Sequence, residues 1–205
     1  MEFITQSPPE HDKKFISILN LAQLCEYDAG HSHQVARLAL RIFDSLKSLH
    51  GLQEKERFWL HCASILHDIG WLEGQQAHHK ASLAIILNAP QLALNNKERL
   101  IIGSIARYHR KALPNPDHDH YAALETKEQK VVSKLAAILR VADGLDHSHH
   151  SHIRELECQV KKERIRLLCT ANTTHLDEER YTIFKGDLFM IIYKRKLEIE
   201  WRIIP

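Results

Sequence analysis

Residues 63–70 read Ala63-Ser64-Ile65-Leu66-His67-Asp68-Ile69-Gly70, and this stretch decides how the rest of the chain is read. It closes an apolar helical run, yet sets an imidazole beside a carboxylate between Leu66 and Ile69. Neighbouring residues on an α-helix point about 100° apart, so packing alone does not explain two adjacent polar groups in apolar surroundings. Buried without a partner, both are costly. A divalent cation lying between the two side chains would satisfy them together.

Upstream, the run from His31 to about Leu49 places Val35, Leu38, Ala39, Ile42, Leu46 and Leu49 on one stripe, which predicts an amphipathic helix ended by Gly51. Residues 15–25 carry a helical pattern, and a third helix is expected from about Gln53 to Ile69, stopping at Gly70. Downstream, helices are expected over 78–88, 96–109 and from Thr126 to about Leu145, with Pro114 and Pro116 breaking the chain between the last two. Six helices without an intervening strand predict a mainly α helical bundle over residues 1–150. Residues 153–160 and 164–170 then alternate as a hairpin, 176–193 read as helix, and Lys196–Ile203 alternates as a third strand. Residues 151–205 are therefore expected to be a small α+β appendage packed on the helical domain.

Asp143 repeats the pattern of the opening stretch, lying polar near the end of an apolar helix in ILRVADGLD (138–146), and His31 stands at the start of the second helix. His31, His67, Asp68 and Asp143 form a nitrogen and oxygen set without thiolate. Such a set suits Mn, Fe, Mg, Co or Zn. Arg140 lies three residues before Asp143 on the same helical face, and Arg110 and Lys111 follow His109. Cations so placed suit an anionic ligand.

Composition narrows the alternatives. The 205 residues carry 44% hydrophobic and 26% charged residues, ordinary for a globular protein, and a formal charge of +2 that does not point to nucleic acid. No apolar run approaches the ~20 residues that span a bilayer, and MEFITQSPPEHDKK (1–14) lacks the features of a signal peptide. Four cysteines without a CxxC pair fit reduced thiols and a cytoplasmic location. Sixteen histidines are the outlier. Homo-oligomerisation is left open.

The order His31, His67-Asp68, Asp143 resembles the H…HD…D signature of HD-domain metal-dependent phosphohydrolases. More narrowly, HSHQVARLALRIFDSL (31–46), LHCASILHDIGW (60–71), HHKAS (78–82), YHRKALP (108–114) and LAAILRVADGLDHSH (135–149) are similar to the C-terminal HD region of the exopolyphosphatase/guanosine pentaphosphate phosphatase family. Members of that family carry an actin-like phosphatase module before this region, which holds their polyphosphate site. This sequence opens at the HD region, so only the HD site is carried over. Two-metal HD relatives add histidines between the HD pair and the last Asp, and His78 and His109 fall there, which implies one or two divalent ions and favours two. The related HD-GYP proteins have a further histidine where Arg110 stands here.

The resemblance implies hydrolysis of a phosphoester or phosphoanhydride of a nucleotide-like or polyphosphate-like small anion by a metal-bound hydroxide. Arg140, Arg110 and Lys111 are then expected to hold the substrate's phosphates, with Asp68, Arg140 and Lys111 as the catalytic group. The alternative is a non-catalytic regulatory or interaction module that keeps the fold and a structural metal. Among the other histidines, His79 is expected beside the ligands or on the surface, and His33 and His61 in packing or on a helix face. His147, His149, His150 and His152 are expected in a solvated loop, and His118 and His120 in a loop that either covers the site or does nothing.

Overall fold

A computed structural model describes residues 9–74 and 76–204; the leader-free reading of the N-terminus falls partly on residues 1–8, outside that range. The helices are α1 (Pro9–Leu24), α2 (Ala29–Ser45), α3 (Lys47–His50), α4 (Glu54–Leu66), α5 (His78–Asn88), α6 (Asn96–Arg107), α7 (Asp119–Ala122), α8 (Thr126–Gly144), α9 (Leu176–Lys185) and α10 (Asp187–Tyr193). A 3-10 turn covers Ile69–Glu73, and the strands are β1 (Glu155–Val160), β2 (Arg164–Ala171) and β3 (Lys196–Ile203). No helix among the described residues is long and apolar enough to cross a membrane.

Local chemistry sets several of these boundaries. Asp28 caps α2 by accepting from His31 N–H at 3.0 Å, which fixes His31 in the first turn. Reciprocal capping boxes start α4 (Gln53 and Glu56), α6 (Asn95 and Glu98) and α8 (Glu125 and Glu128). The apolar stripe of α2 is buried as its spacing predicts, and α8 runs through the centre, with Val132, Leu135, Ala136, Ala137, Ile138, Leu139, Val141 and Ala142 all buried.

Three expected helices end or break early, each where a side chain takes a helical carbonyl. His50 Nε2–H donates to Phe43 O at 2.8 Å, and the chain breaks between α2 and α3 rather than running on to Leu49. The helix expected to reach Ile69 stops at Leu66: Ser82 Oγ donates to His67 O at 2.8 Å and accepts from Gly70 N–H at 3.0 Å. Asp68 there has φ −110° and ψ 7°, outside the helical region. The helix expected over 176–193 divides at Gly186, because Arg140 Nε–H donates to Lys185 O at 3.0 Å.

The sheet has the order β1-β2-β3, with β1 antiparallel to β2 (Glu155↔Thr170 to Val160↔Ile165) and β2 parallel to β3 (Arg164↔Lys196 to Ala171↔Ile203). The parallel pair is joined through α9 and α10, which pack on α8, and β1 packs on α2. One buried apolar cluster extends from Ile18 and Leu21 through α8 to Leu167, Phe189 and Leu197. The change near residue 150 is thus one of secondary structure, and both parts share a core.

Two close backbone approaches position the polar centre. A Cβ on Gly70 would lie 2.3 Å from His78 O and 2.6 Å from Ser82 N, so only glycine lets the turn after His67-Asp68 rest on α5. A Cβ on Gly144 would lie 2.6 Å from Thr182 Cα, so glycine beside Asp143 also admits α9. Overpacking of this kind costs about 1–3 kcal/mol. Gly70→Ala and Gly144→Ala are each expected to lower the urea midpoint accordingly; unchanged midpoints would show that the helices shift freely at these contacts.

A candidate metal centre

Six side chains from five segments meet at the base of one cleft. His31 comes from the first turn of α2, His67 and Asp68 from the turn after α4, and His78 from the start of α5. His109 follows α6, and Asp143 lies one residue from the end of α8. All except Asp68 are buried, and the Asp68 side chain is only 11% exposed.

They divide into two triads, His31/His67/Asp143 and Asp68/His78/His109, each with its donor atoms within 4.8 Å of one another. Asp68 faces both. Its Oδ1 is 3.1 Å from His78 Nε2 and 3.2 Å from His109 Nε2, while its Oδ2 is 3.5 Å from His67 Nε2 and 3.9 Å from His31 Nε2. Asp143 Oδ1 completes the first set at 3.5 Å from His31 Nε2 and 3.9 Å from His67 Nε2. The Nε2 atoms of His31 and His67 are 3.2 Å apart, as are those of His78 and His109.

The hydrogen bonds behind the rings test whether a cation fits. His31 Nδ1–H donates to Asp146 Oδ2 at 2.9 Å, His67 Nδ1–H to Ser64 O at 2.8 Å and His109 Nδ1–H to Ala106 O at 2.7 Å. With their Nδ1–H groups held from behind, the rings turn Nε2 inward, toward each other and toward two carboxylates. Asp68 Oδ1 is a buried acceptor with no aligned donor among the described residues. Imidazole nitrogens and carboxylate oxygens converging this closely are stabilised by a cation between them, and this donor set fits a divalent one.

The ionisation of the cluster says the same in another form. Burial opposes charge on His31, but hydrogen bonds to Asp143 and Asp146 outweigh it and raise its pKa to about 10. A proton there does part of the work of a metal ion. Burial pushes the pKa values of His67 and His109 down. Burial would raise those of Asp68 and Asp143, yet both are lowered: the surrounding imidazoles hold Asp68 down, and Lys185 and His31 hold Asp143 down.

The cleft above the triads has a volume of about 420 Å³, with Trp71, Arg110, Lys111, Tyr181, Phe184 and Lys185 around it. Arg110 Nη1 lies 3.2 Å from His78 Nε2. The Lys111 ammonium donates to Gln76 O at 2.6 Å in an exposed bond. Arg140 reaches the cleft wall but is 3% exposed, and each of its three nitrogens donates: Nε–H also to Asp187 Oδ1 (3.1 Å), Nη1–H to Tyr108 O (3.1 Å) and Nη2–H to Asp187 Oδ1 (2.8 Å). It is placed as a brace between α6, α8 and α9 while still lining the cleft, where the phosphate contact was expected.

Sequence reasoning missed Asp146, Lys185 and His149. Asp146 lies three residues past Asp143, in the same quoted string, and that spacing was a usable signal. Lys185 donates to Asp143 Oδ2 across 42 residues of chain, with no local pattern to announce it. His149, expected in a solvated loop, has φ 60°, stacks on His31 at 3.6 Å and donates through Nδ1–H to Asp28 Oδ2 at 2.9 Å. His79 is buried rather than on the surface. His33 lies exposed on α2 and meets Tyr27 Oη, and the half-buried His61 packs its ring at a tilt against Phe15. His118 and His120 pair with Tyr108 Oη and Ser104 Oγ.

No single curated protein matches the chain. A family model described as Ppx/GppA phosphatase, domain III, matches residues 14–185, which takes in every residue of the two triads. The chain belongs to the Ppx/GppA phosphatase domain III family.

Proposed function

We propose that this protein is an HD-type metal-dependent phosphohydrolase whose centre takes two divalent ions, one in each triad. It would act on a phosphoester or phosphoanhydride of a nucleotide-like or polyphosphate-like small anion. The observation that carries this reading is Asp68, whose two oxygens each face a separate histidine pair at the base of a cation-lined cleft. A family described as a phosphatase domain supports the same reaction class.

His31, His67, Asp68 and Asp143 would hold one ion, and Asp68, His78 and His109 the other, drawn from Mn, Fe, Mg, Co or Zn. Divalent ions bound there supply Lewis acidity and an activated water for in-line displacement at phosphorus. The protein's own part is orientation and charge. Asp146, Ser64 and Ala106 keep His31, His67 and His109 in the tautomer that ligates. Arg110 and Lys111 stand at the second triad, where their cationic groups meet phosphoryl oxygens as those develop charge. Arg140 contributes by holding the cleft wall in place. Trp71, 42% exposed and stacked on His78 at 5.1 Å, offers a flat apolar face to the organic part of a substrate.

Metal analysis of purified protein is expected to approach two divalent ions per chain, falling toward one in His109→Ala. Asp68→Ala should lose both ions and all hydrolysis, and a chelator should abolish hydrolysis in the wild type. A fully active metal-free preparation would falsify the proposal, and saturation at one ion unaffected by His109→Ala would reduce it to a mononuclear site. Metal binding with no turnover across a panel of phosphate esters and anhydrides would favour the interaction module instead. Asp146→Asn is expected to weaken metal affinity by ~10–100-fold while the fold persists, as loss of a ligand-orienting carboxylate does; equilibrium dialysis measures it, and unaltered affinity would remove Asp146 from the site.

A further inference from the structure

Lys185 is the last residue of α9, and its ammonium bonds Asp143 Oδ2, while Asp143 Oδ1 faces the first triad. The two oxygens of one carboxylate thus serve two cationic positions, one inside the triad and one on the cleft side. The support under Lys185 is firm. Arg140 Nε–H fixes its carbonyl at 3.0 Å, Asp187 and Tyr108 O anchor that guanidinium, and Gly144 lets α9 close on α8. Beyond this fixed backbone the side chain is a flexible four-carbon stem carrying a point charge. Its side chain is 15% exposed and lines the cleft.

A lysine so placed has two partners to choose between. With the triad empty, Asp143 is a buried carboxylate, and Lys185 and His31 supply its positive charge. When a divalent ion supplies that charge, the ammonium is less needed at Asp143, and an anion in the cleft becomes the better partner. Arg110 and Lys111 stand by the second triad, and Arg140 is tied to Lys185 O, Asp187 and Tyr108 O, so Lys185 is the flexible cation beside the first triad among the described residues lining the cleft.

We propose that Lys185 is the transferable cation of this cleft: counter-ion to Asp143 in the metal-free protein and a direct contact to a phosphoryl oxygen once the first triad is loaded, with Arg140 as its positioning residue. This deepens the phosphohydrolase reading and rests on it for the identity of the anion. It makes the substrate-end ligand a phosphate gripped from both triads, by Arg110 and Lys111 on one side and Lys185 on the other.

The test uses the full chain and needs no turnover. Mn²⁺ affinity is measured by equilibrium dialysis, and inorganic phosphate binding to the Mn²⁺-loaded protein by calorimetry, for wild type, Lys185→Met, Lys185→Arg and Arg140→Gln. Lys185→Met is expected to bind Mn²⁺ at least as tightly as wild type, because a competing cation is gone. Its phosphate affinity should fall about tenfold or more, the loss of one hydrogen bond to a charged group. Lys185→Arg should retain most of the phosphate affinity, and Arg140→Gln should lose part of it while keeping its Mn²⁺. Thermal melts check folding, with Lys185→Gln as the substitute if Lys185→Met does not fold. Wild-type phosphate affinity in Lys185→Met overturns the proposal, as does a wild type that binds no phosphate, or a Lys185→Met protein that loses Mn²⁺. A wild type that binds phosphate through Lys185 yet hydrolyses nothing overturns the hydrolase reading and leaves this assignment standing. A hydrolase whose Lys185→Met variant binds phosphate normally does the reverse.

Discussion

The organisation of this protein depends on the carboxylate of Asp68, held between two pairs of imidazole nitrogens where water scarcely reaches. A buried anion is tolerated only when positive charge or donors surround it, and here each oxygen faces a different pair of histidine nitrogens, an arrangement that a cation would complete. That requirement reaches outward. The rings must present Nε2, so their Nδ1–H groups must be anchored, and Asp146, Ser64 and Ala106 anchor three of them. The chain must leave α4 at Leu66, because a continuing helix would aim Asp68 about 100° away from His67. Ser82 enforces the exit by taking the carbonyl of His67 and the amide of Gly70.

Charge balance links this centre to the C-terminal part of the chain. Asp143 is buried, and the ammonium beside it comes from α9, which lies between β2 and β3. Arg140 holds that helix end while sitting one turn before Asp143 on α8, so one helix carries both the carboxylate and the brace for its counter-ion. The shared core, from Ile18 to Leu197, makes this coupling stiff. Helix α9 of the C-terminal part therefore finishes one wall of the cleft.

Much of this was legible in residue order. The helical bundle followed from apolar periodicity, since a stripe at three- and four-residue spacing is buried most economically as one face of a helix. Val35, Leu38, Ala39 and Ile42 lie buried on that stripe in α2. The four residues His31, His67, Asp68 and Asp143 stood out because each is polar where its helix is otherwise apolar, an anomaly visible without coordinates. His78 and His109 were located only through a family resemblance. The helix breaks at Leu46, Leu66 and Lys185 were not legible, because each depends on a hydrogen bond from a side chain of another segment or turn.

By itself, then, the sequence determined the helical class of the first 150 residues, the α+β character of the remainder and the polar anomalies that mark the centre. These are properties of local pattern, and local pattern is carried by neighbours in the chain. Only the tertiary structure decided that Asp68 is shared by two triads, that Arg140 braces and that Lys185 meets Asp143. Helical phase places Arg140 and Asp143 on one face, but a face does not say which of several polar groups will satisfy a guanidinium. That choice was made by Lys185 O, Asp187 and Tyr108 O, three partners brought from 32 to 47 residues away by the packing of α6 and α9 against α8.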